Sequence, residues 1–215
     1  MNNIKNVFID FNGTVLDDVD LCLELLNKLL KSQNKSSVDI NTYRNIFGFP
    51  IVDYYKAAGL DFNIESFDSM AVKFIDEYQP RSFKQNINPG IKEFISYLKK
   101  NNINVILFSA SKYENLMEQL RMLKIDDLFD DVIGISNIHA KSKLEVFIEY
   151  LDKNNIDKDK SILIGDTIHD FECASYAHIK PILVTTGHQS RKRLEDCGCL
   201  VIDNILELKD GGIIW

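Results

Sequence analysis

Four short strings in this chain carry acids, hydroxyls and a lysine of the kinds that act together on a phosphoryl group. They are Asp10-Phe-Asn12-Gly-Thr14, Ser109-Ala110-Ser111, Lys141-Ser-Lys143 and Gly165-Asp166-Thr-Ile-His169-Asp170. Carboxylates converging from separate strings without an equal number of cations would repel one another unless a metal stood among them. Mg²⁺ suits Asp10, Asp166 and Asp170, because it takes oxygen ligands from a few carboxylates, keeps part of its water shell and accepts a phosphate oxygen. A carboxylate such as Asp10 can then attack phosphorus, forming an aspartyl-phosphate that water hydrolyses. Ser109 and the backbone N–H groups around Ala110, together with Lys143, are expected to hold the equatorial phosphoryl oxygens, where positioned charge does most of the catalytic work. Thr14 adds a hydroxyl to the same phosphate-binding set.

Such residues act together only if the fold brings the strings to one edge. Short apolar runs recur at Ile4 to Asp10, Ile103 to Ser109, Val132 to Ile135, Ile162 to Asp166, Ile182 to Thr185 and Leu200 to Ile202. Both faces of these runs are apolar, as in strands buried on both sides. Between them lie helical spacings such as Ile91, Phe94, Ile95, Leu98 and Leu144, Phe147, Ile148, Leu151. The alternation from about residue 86 onward predicts an α/β fold, a Rossmann-like parallel sheet with helices on both faces. Ligands of such sheets bind beyond the carboxyl ends of the strands, which is where the four strings fall.

The stretch after the first strand differs. No strand is legible from Asp17 to about Lys84, whereas Leu21, Cys22, Leu25, Leu26 and Leu29 form a helical stripe, and Tyr43 to Ala58 and Ile64 to Tyr78 also read as helical. The expected organisation is a core of residues 1–16 and 86–215 with an inserted α-helical cap over residues 17–85, Pro80 to Asn88 being the return linker.

With 215 residues, 45% hydrophobic, the chain can build one full core and a smaller insertion. A net charge of −7 argues against nucleic acid or an anionic membrane as partner, so a phosphorylated ligand must be held by a local site. Cys22, Cys173, Cys197 and Cys199 lack a CxxC spacing and read as free thiols of a cytoplasmic protein; no basic-then-apolar leader precedes the first strand. The expected partner is a small phosphorylated substrate, and the protein is expected to be a monomer or homodimer.

DFNGT, LFSAS, SKLE and IGDTIHD, in that order and with a helical insertion between the first two, resemble the haloacid dehalogenase superfamily of hydrolases with a C1-type cap. The resemblance spans essentially the whole chain. It implies Asp10 as nucleophile and metal ligand, Asn12 as a metal ligand through its backbone carbonyl, Ser109 on phosphate, Lys143 as the charge-balancing lysine, and Asp166 with Asp170 at a Mg²⁺ site. Cap size and the string Arg44-Asn-Ile-Phe-Gly48-Phe-Pro50 resemble the phosphoglycolate-phosphatase-like members, which implies Arg44 and Gly48 facing substrate.

Asn12 departs from that pattern. The family's phosphatases usually carry an aspartate there, which protonates the leaving oxygen and then activates water. An amide has no proton to exchange, and general acid–base assistance is worth roughly 10²- to 10⁴-fold. The expectation is a slow or specialised phosphohydrolase that favours good leaving groups such as acyl phosphates and aryl esters. Asp17, Asp18 and His169 are candidates for a substitute proton donor. A phosphonate-cleaving or phosphotransfer enzyme is a second reading, the former needing a Schiff-base lysine such as Lys28, Lys31 or Lys56; a non-catalytic phospho-ligand binder is a third. Ordinary roles compete throughout: Asp166 and Asp170 as helix caps, Lys143 or Lys141 as a solvated helix-start lysine, Ser109 as a turn hydroxyl. His169 and His188 have no assigned role at this level, His188 following the fifth strand at the functional edge.

Overall fold

The computed structural model of the chain describes residues 4–135 and 142–210. Lys141, His139 and the terminal GGIIW fall outside the described residues. The chain runs through β1 (Asn6–Asp10), β2 (Leu16–Asp17), four helices α1 (Val19–Ser32), α2 (Ile40–Ile46), α3 (Ile51–Ala58) and α4 (Phe67–Ser82), then β3 (Asn86–Ile87). It continues through α5 (Ile91–Lys100), β4 (Asn104–Lys112), α6 (Tyr113–Leu123), β5 (Asp131–Ile135), α7 (Lys143–Lys153), β6 (Ser161–Gly165) and α8 (Ile168–Tyr176). The remaining elements are β7 (Lys180–Val184), α9 (Arg191–Glu195), β8 (Leu200–Ile202) and α10 (Glu207–Asp210).

Six strands form one parallel sheet in the order β5-β4-β1-β6-β7-β8. Alternation of side chains along each strand sorts the apolar residues onto two faces. Val7, Ile9, Val105, Leu107, Ile162 and Ile164 pack on one face against α5 and α6, while Phe8, Ile106, Phe108 and Leu163 pack on the other against Phe147 and Leu151 of α7 and Cys173 and Ala174 of α8. β1 is central, and the order of connection reverses across it, since β4 and β5 extend the sheet to one side and β6 to β8 to the other. A crevice therefore opens at the carboxyl end of β1, where the chain stops being strand at Asp10.

β2 and β3 pair antiparallel as a two-residue ribbon through which the chain leaves the core and returns to it. The expectation of no strand from Asp17 to about Lys84 is corrected only at Asp17, whose pairing with Asn86 satisfies backbone groups that composition alone left as loop. Helices α1 to α4 enclose their own apolar cluster, including Leu21, Leu25, Leu26, Tyr43, Tyr54 and Met70. The helical stretch read from Tyr43 to Ala58 is two helices, broken at Phe47–Pro50, because the residue before a proline is disfavoured in the α region. Pro80, read as linker, lies inside the final turns of α4. None of the described helices is long and apolar enough to cross a membrane.

Candidate active site

Four of the sequence-predicted groups meet at the end of β1. Asp10 closes that strand and is buried. Lys143 opens α7 directly after Ser142, which forms a capping box with Glu145 and so fixes where the helix begins. Its Nζ lies 2.5 Å from Asp10 Oδ1 and 2.6 Å from Asp170 Oδ1, and 4.4 Å above the Phe108 ring. Asp170 holds the third helical position of α8 and completes a capping box with Thr167, whose hydroxyl and backbone N–H both donate to Asp170 Oδ2. The capping role and a place in this acidic cluster thus belong to one carboxylate. Asp166 follows β6 and accepts from the Thr14 hydroxyl at 3.0 Å and from the His188 backbone N–H at 2.6 Å.

One oxygen from each of Asp10, Asp166 and Asp170 falls within 4.8 Å of the others. Burial, together with the neighbouring Asp170 and Asp166 charges, pushes the Asp10 carboxyl well above its usual range despite Lys143. Burial likewise pushes Asp166 up to about 6, against the pull of His188. Lys143 stays charged: burial opposes its charge, but the Asp10 and Asp170 carboxylates raise its pKa above the ordinary lysine value. Among the described residues, three carboxylates against this one lysine leave the cluster short of positive charge, and an all-oxygen donor set of this kind fits a hard divalent cation such as Mg²⁺.

Three glycines make room for these acids. A Cβ on Gly187 would come within 2.0 Å of Asp166 Oδ2, one on Gly13 within 2.5 Å of the same oxygen, and one on Gly165 within 2.3 Å of Asp170 Cγ. Gly13 also has φ of +75°, which L side chains rarely adopt. Sequence reading missed the close approach at Gly165 and Gly187, because a glycine after a strand looks like any turn residue until the acid packed against it is known.

Behind Asn12 stands a buried network of residues that lie far apart along the chain. Asp18, fully buried, accepts from the Gly13 N–H (2.8 Å), the Asn12 amide (2.9 Å) and the Tyr78 hydroxyl (2.6 Å). His188 Nε2 lies 3.3 Å from Asp18, and its Nδ1 is 2.8 Å from the Tyr43 hydroxyl. Although burial opposes both charges, the two groups stabilise each other: Asp18 is held below, and His188 above, its ordinary pKa. Asp18 is therefore an ionised acceptor and a poor substitute for the missing acid. Asp18, Cys22 and His188 also lie within 4.8 Å of one another, but the Asp18 oxygens are already committed to protein donors, so the cluster works as a hydrogen-bond network. The amide of Asn12 is fixed by it, donating to Asp18 and, at 2.5 Å, to Tyr78, while its Oδ1 accepts from the Ser111 hydroxyl at 3.2 Å.

The other expected residues scatter. Ala110 and Ser111 line the cavity above Asp10, whereas Ser109 is buried with its hydroxyl accepting from the Ser111 N–H. Thr14 faces Asp166 from behind. Arg44 and Gly48 stand outside the cavity wall: the Arg44 guanidinium reaches the Thr186 carbonyl, and Gly48 sits near Gln189 and Arg193 at the seam between the helical insertion and the core. Their neighbours Phe47 and Phe49 line the cavity instead. Asp17 is exposed on the ribbon, and the His169 ring lies tilted against Phe49, with centroids 4.9 Å apart. Lys28 and Lys56 pair with Glu77 and Asp53 on the surface, and neither they nor Lys31 lines the cavity.

Comparison with known proteins supplies the remaining context. The family profile described as haloacid dehalogenase-like hydrolase matches residues 7–184. The chain is 24% identical over 207 residues to a phosphorylated carbohydrates phosphatase of Thermotoga maritima, covering 93% of this chain and 94% of that protein. It is 21% identical to a phosphoglycolate phosphatase of Pseudomonas putida, covering 95% of this chain and 78% of the relative. Among solved structures, a haloacid dehalogenase-like family hydrolase from Streptococcus pneumoniae superposes with a TM-score of 0.83 at 20% identity, over 99% of this chain and all of that one.

Proposed function

The chain belongs to the haloacid dehalogenase-like hydrolase family, and from that premise we propose that it hydrolyses a small phosphorylated compound through an aspartyl-phosphate at Asp10. The observation that carries this reading is the meeting of Asp10, Asp166, Asp170 and Lys143 on the floor of a single cavity of about 530 Å³. Asp10, Asp166 and the backbone carbonyl of Asn12 would hold Mg²⁺, with Asp170 beside them. When bound, the metal neutralises the approach of the phosphate to the nucleophile and draws Asp10 toward its ionised form. Asp10 then attacks phosphorus as the bond to the leaving oxygen breaks, and that oxygen departs with the electron pair. Lys143, held between Asp10 and Asp170, presents positive charge to the phosphoryl oxygens, and the backbone N–H of Ala110 completes the cradle, the Ser111 N–H being taken by the Ser109 hydroxyl. Water subsequently attacks phosphorus, releasing phosphate and restoring the carboxylate. The helices α1 to α4 act as the cap that covers this floor and limits water.

The test is Mg²⁺-dependent release of phosphate from acetyl phosphate and p-nitrophenyl phosphate. Turnover that EDTA abolishes and Mg²⁺ restores is expected; turnover indifferent to EDTA would contradict the metal assignment. A phosphonate-type reaction finds no support, because Lys28, Lys31 and Lys56 are absent from the cavity wall.

Asn12→Asp is expected to raise kcat/KM on benzyl phosphate by about 10- to 100-fold and on phenyl phosphate by much less, since an alkyl-type leaving oxygen depends most on an acid. The gain has a cost. The new carboxyl would face Asp18 where the amide now donates, so the variant should be less stable by roughly 1–3 kcal/mol in urea melts at neutral pH. Equal gains on both esters would show that position 12 does not act on the leaving group.

Gly187→Ala is expected to displace Asp166 and lower turnover about 10- to 100-fold at limiting Mg²⁺, with partial recovery at high Mg²⁺. An unchanged Mg²⁺ dependence would separate Asp166 from the metal.

A further inference from the structure

The cap side of the cavity over Asp10 is mostly aromatic and apolar, with Gln79 its one amide among the described residues, and that amide donates to the Asn115 carbonyl and Glu118. Phe47, Phe49, Tyr54, Phe67, Phe74 and Ile75 of the helical insertion line this side, and Phe49 and Ile75 remain 42% and 45% exposed. Lining residues drawn from α1 to α4 include no lysine or arginine. The one acid that the stretch before α1 contributes, Asp18, is spent on His188 and its hydrogen-bond donors. Among the described residues, the cations in the wall are Lys143, committed to Asp10 and Asp170, Lys112 beside Glu114, and the buried His188. Of the cap cations close in sequence to the lining phenylalanines, Arg44 turns to the Thr186 carbonyl and Lys73 pairs with Glu65. A second carboxylate or a ring of sugar hydroxyls on the substrate would therefore lose its water against aromatic carbon with few partners in return.

Asn12 makes a separate demand on the leaving group. Its amide is fixed between Asp18, Tyr78 and Ser111, so the position usually given to an acid supplies none. The leaving oxygen must depart as a stable anion.

Resting on the phosphohydrolase reading above, we infer that the substrate is a phosphate joined to the acidic oxygen of a compact aromatic group, a phenol or an aromatic carboxylic acid, whose ring is received by the cap aromatics. The P–O bond to that oxygen breaks as the bond from Asp10 forms, and the leaving group departs as phenolate or carboxylate, its charge delocalised without a proton. The second step gives dihydrogen phosphate, which keeps both protons of the attacking water or passes one to solvent to leave hydrogen phosphate. Both the cavity and the asparagine follow from this one substrate class.

Acetyl phosphate and benzoyl phosphate share the same mixed-anhydride linkage and differ by the ring. Burying a phenyl group is expected to raise kcat/KM for benzoyl phosphate by about 10- to 100-fold, mostly through KM. Ile75→Arg, at a half-exposed wall position, is expected to reduce that ratio at least several-fold and to improve the relative rate with 2-phosphoglycolate. Turnover of acetyl phosphate at equal or greater efficiency than benzoyl phosphate would overturn the aromatic assignment and leave the phosphohydrolase standing. Failure to hydrolyse either acyl phosphate would overturn the phosphohydrolase, and the aromatic assignment with it.

Discussion

Asp10→Asn is expected to lower kcat on acetyl phosphate by roughly 10⁴-fold or more while leaving a folded protein. The amide keeps the shape of the side chain but removes the anion that attacks phosphorus. Folding should survive, because the substitution removes one of three carboxylates crowded around a single lysine. Thermal melting in EDTA should therefore show a Tm no lower than that of wild type. Loss of activity with a preserved Tm assigns the effect to chemistry. Residual turnover within tenfold of wild type would remove Asp10 from the reaction.

The second large effect is expected at Lys143. Its ammonium is buried and balances Asp10 and Asp170 at once. Lys143→Met fills similar volume but leaves two buried carboxylates without their cation, a change that costs about 3–5 kcal/mol when one partner of a buried pair is removed. Urea melts in EDTA should show that loss, and Mg²⁺ should narrow the gap between variant and wild type, because the metal supplies charge to the same acids. Turnover should fall by roughly 10²- to 10³-fold even at saturating Mg²⁺, since a positioned cation on the phosphoryl group is gone. A stability loss that Mg²⁺ leaves untouched would place the metal away from Asp10 and Asp170.

The parallel sheet was legible because β1, β4 and β6 are buried on both faces and so read as unbroken apolar runs, and because Asp10, Asp166 and Lys143 stand where those runs stop or the next helix starts. The start of α7 was legible because the Lys141-Ser-Lys143 string stands just before the helical spacing of Leu144, Phe147, Ile148 and Leu151. What remained hidden depends on approach between distant segments. Gly187 is marked by the Asp166 carboxylate packed against it, and Asp18 and His188, which lie far apart in sequence, become a pair only when the chain after β1 folds against the turn after β7. The apolar stripe of the insertion was equally ambiguous. Tyr43 and Tyr78 were read only as bounds of helical stretches, and their hydroxyls turn out to hold the network behind Asn12, while Phe47 and Phe74 both pack against the insertion's core and line the cavity. Arg44 shows the opposite error, since a cation in a cap string invites a substrate contact that its reach to Thr186 does not make.

These observations give the site two separable properties: a charged floor for phosphoryl transfer and an aromatic roof for the group that leaves. The floor is the central claim, and the most direct measurement of it is capture of the covalent intermediate. Wild-type protein mixed with acetyl phosphate and Mg²⁺ and quenched in acid within one turnover should yield a peptide containing Asp10 that is heavier by one phosphoryl group. The adduct should be absent in EDTA and in Asp10→Asn. An unmodified Asp10 throughout turnover, or a phosphoryl group on another side chain such as His169 or His188, would contradict the account.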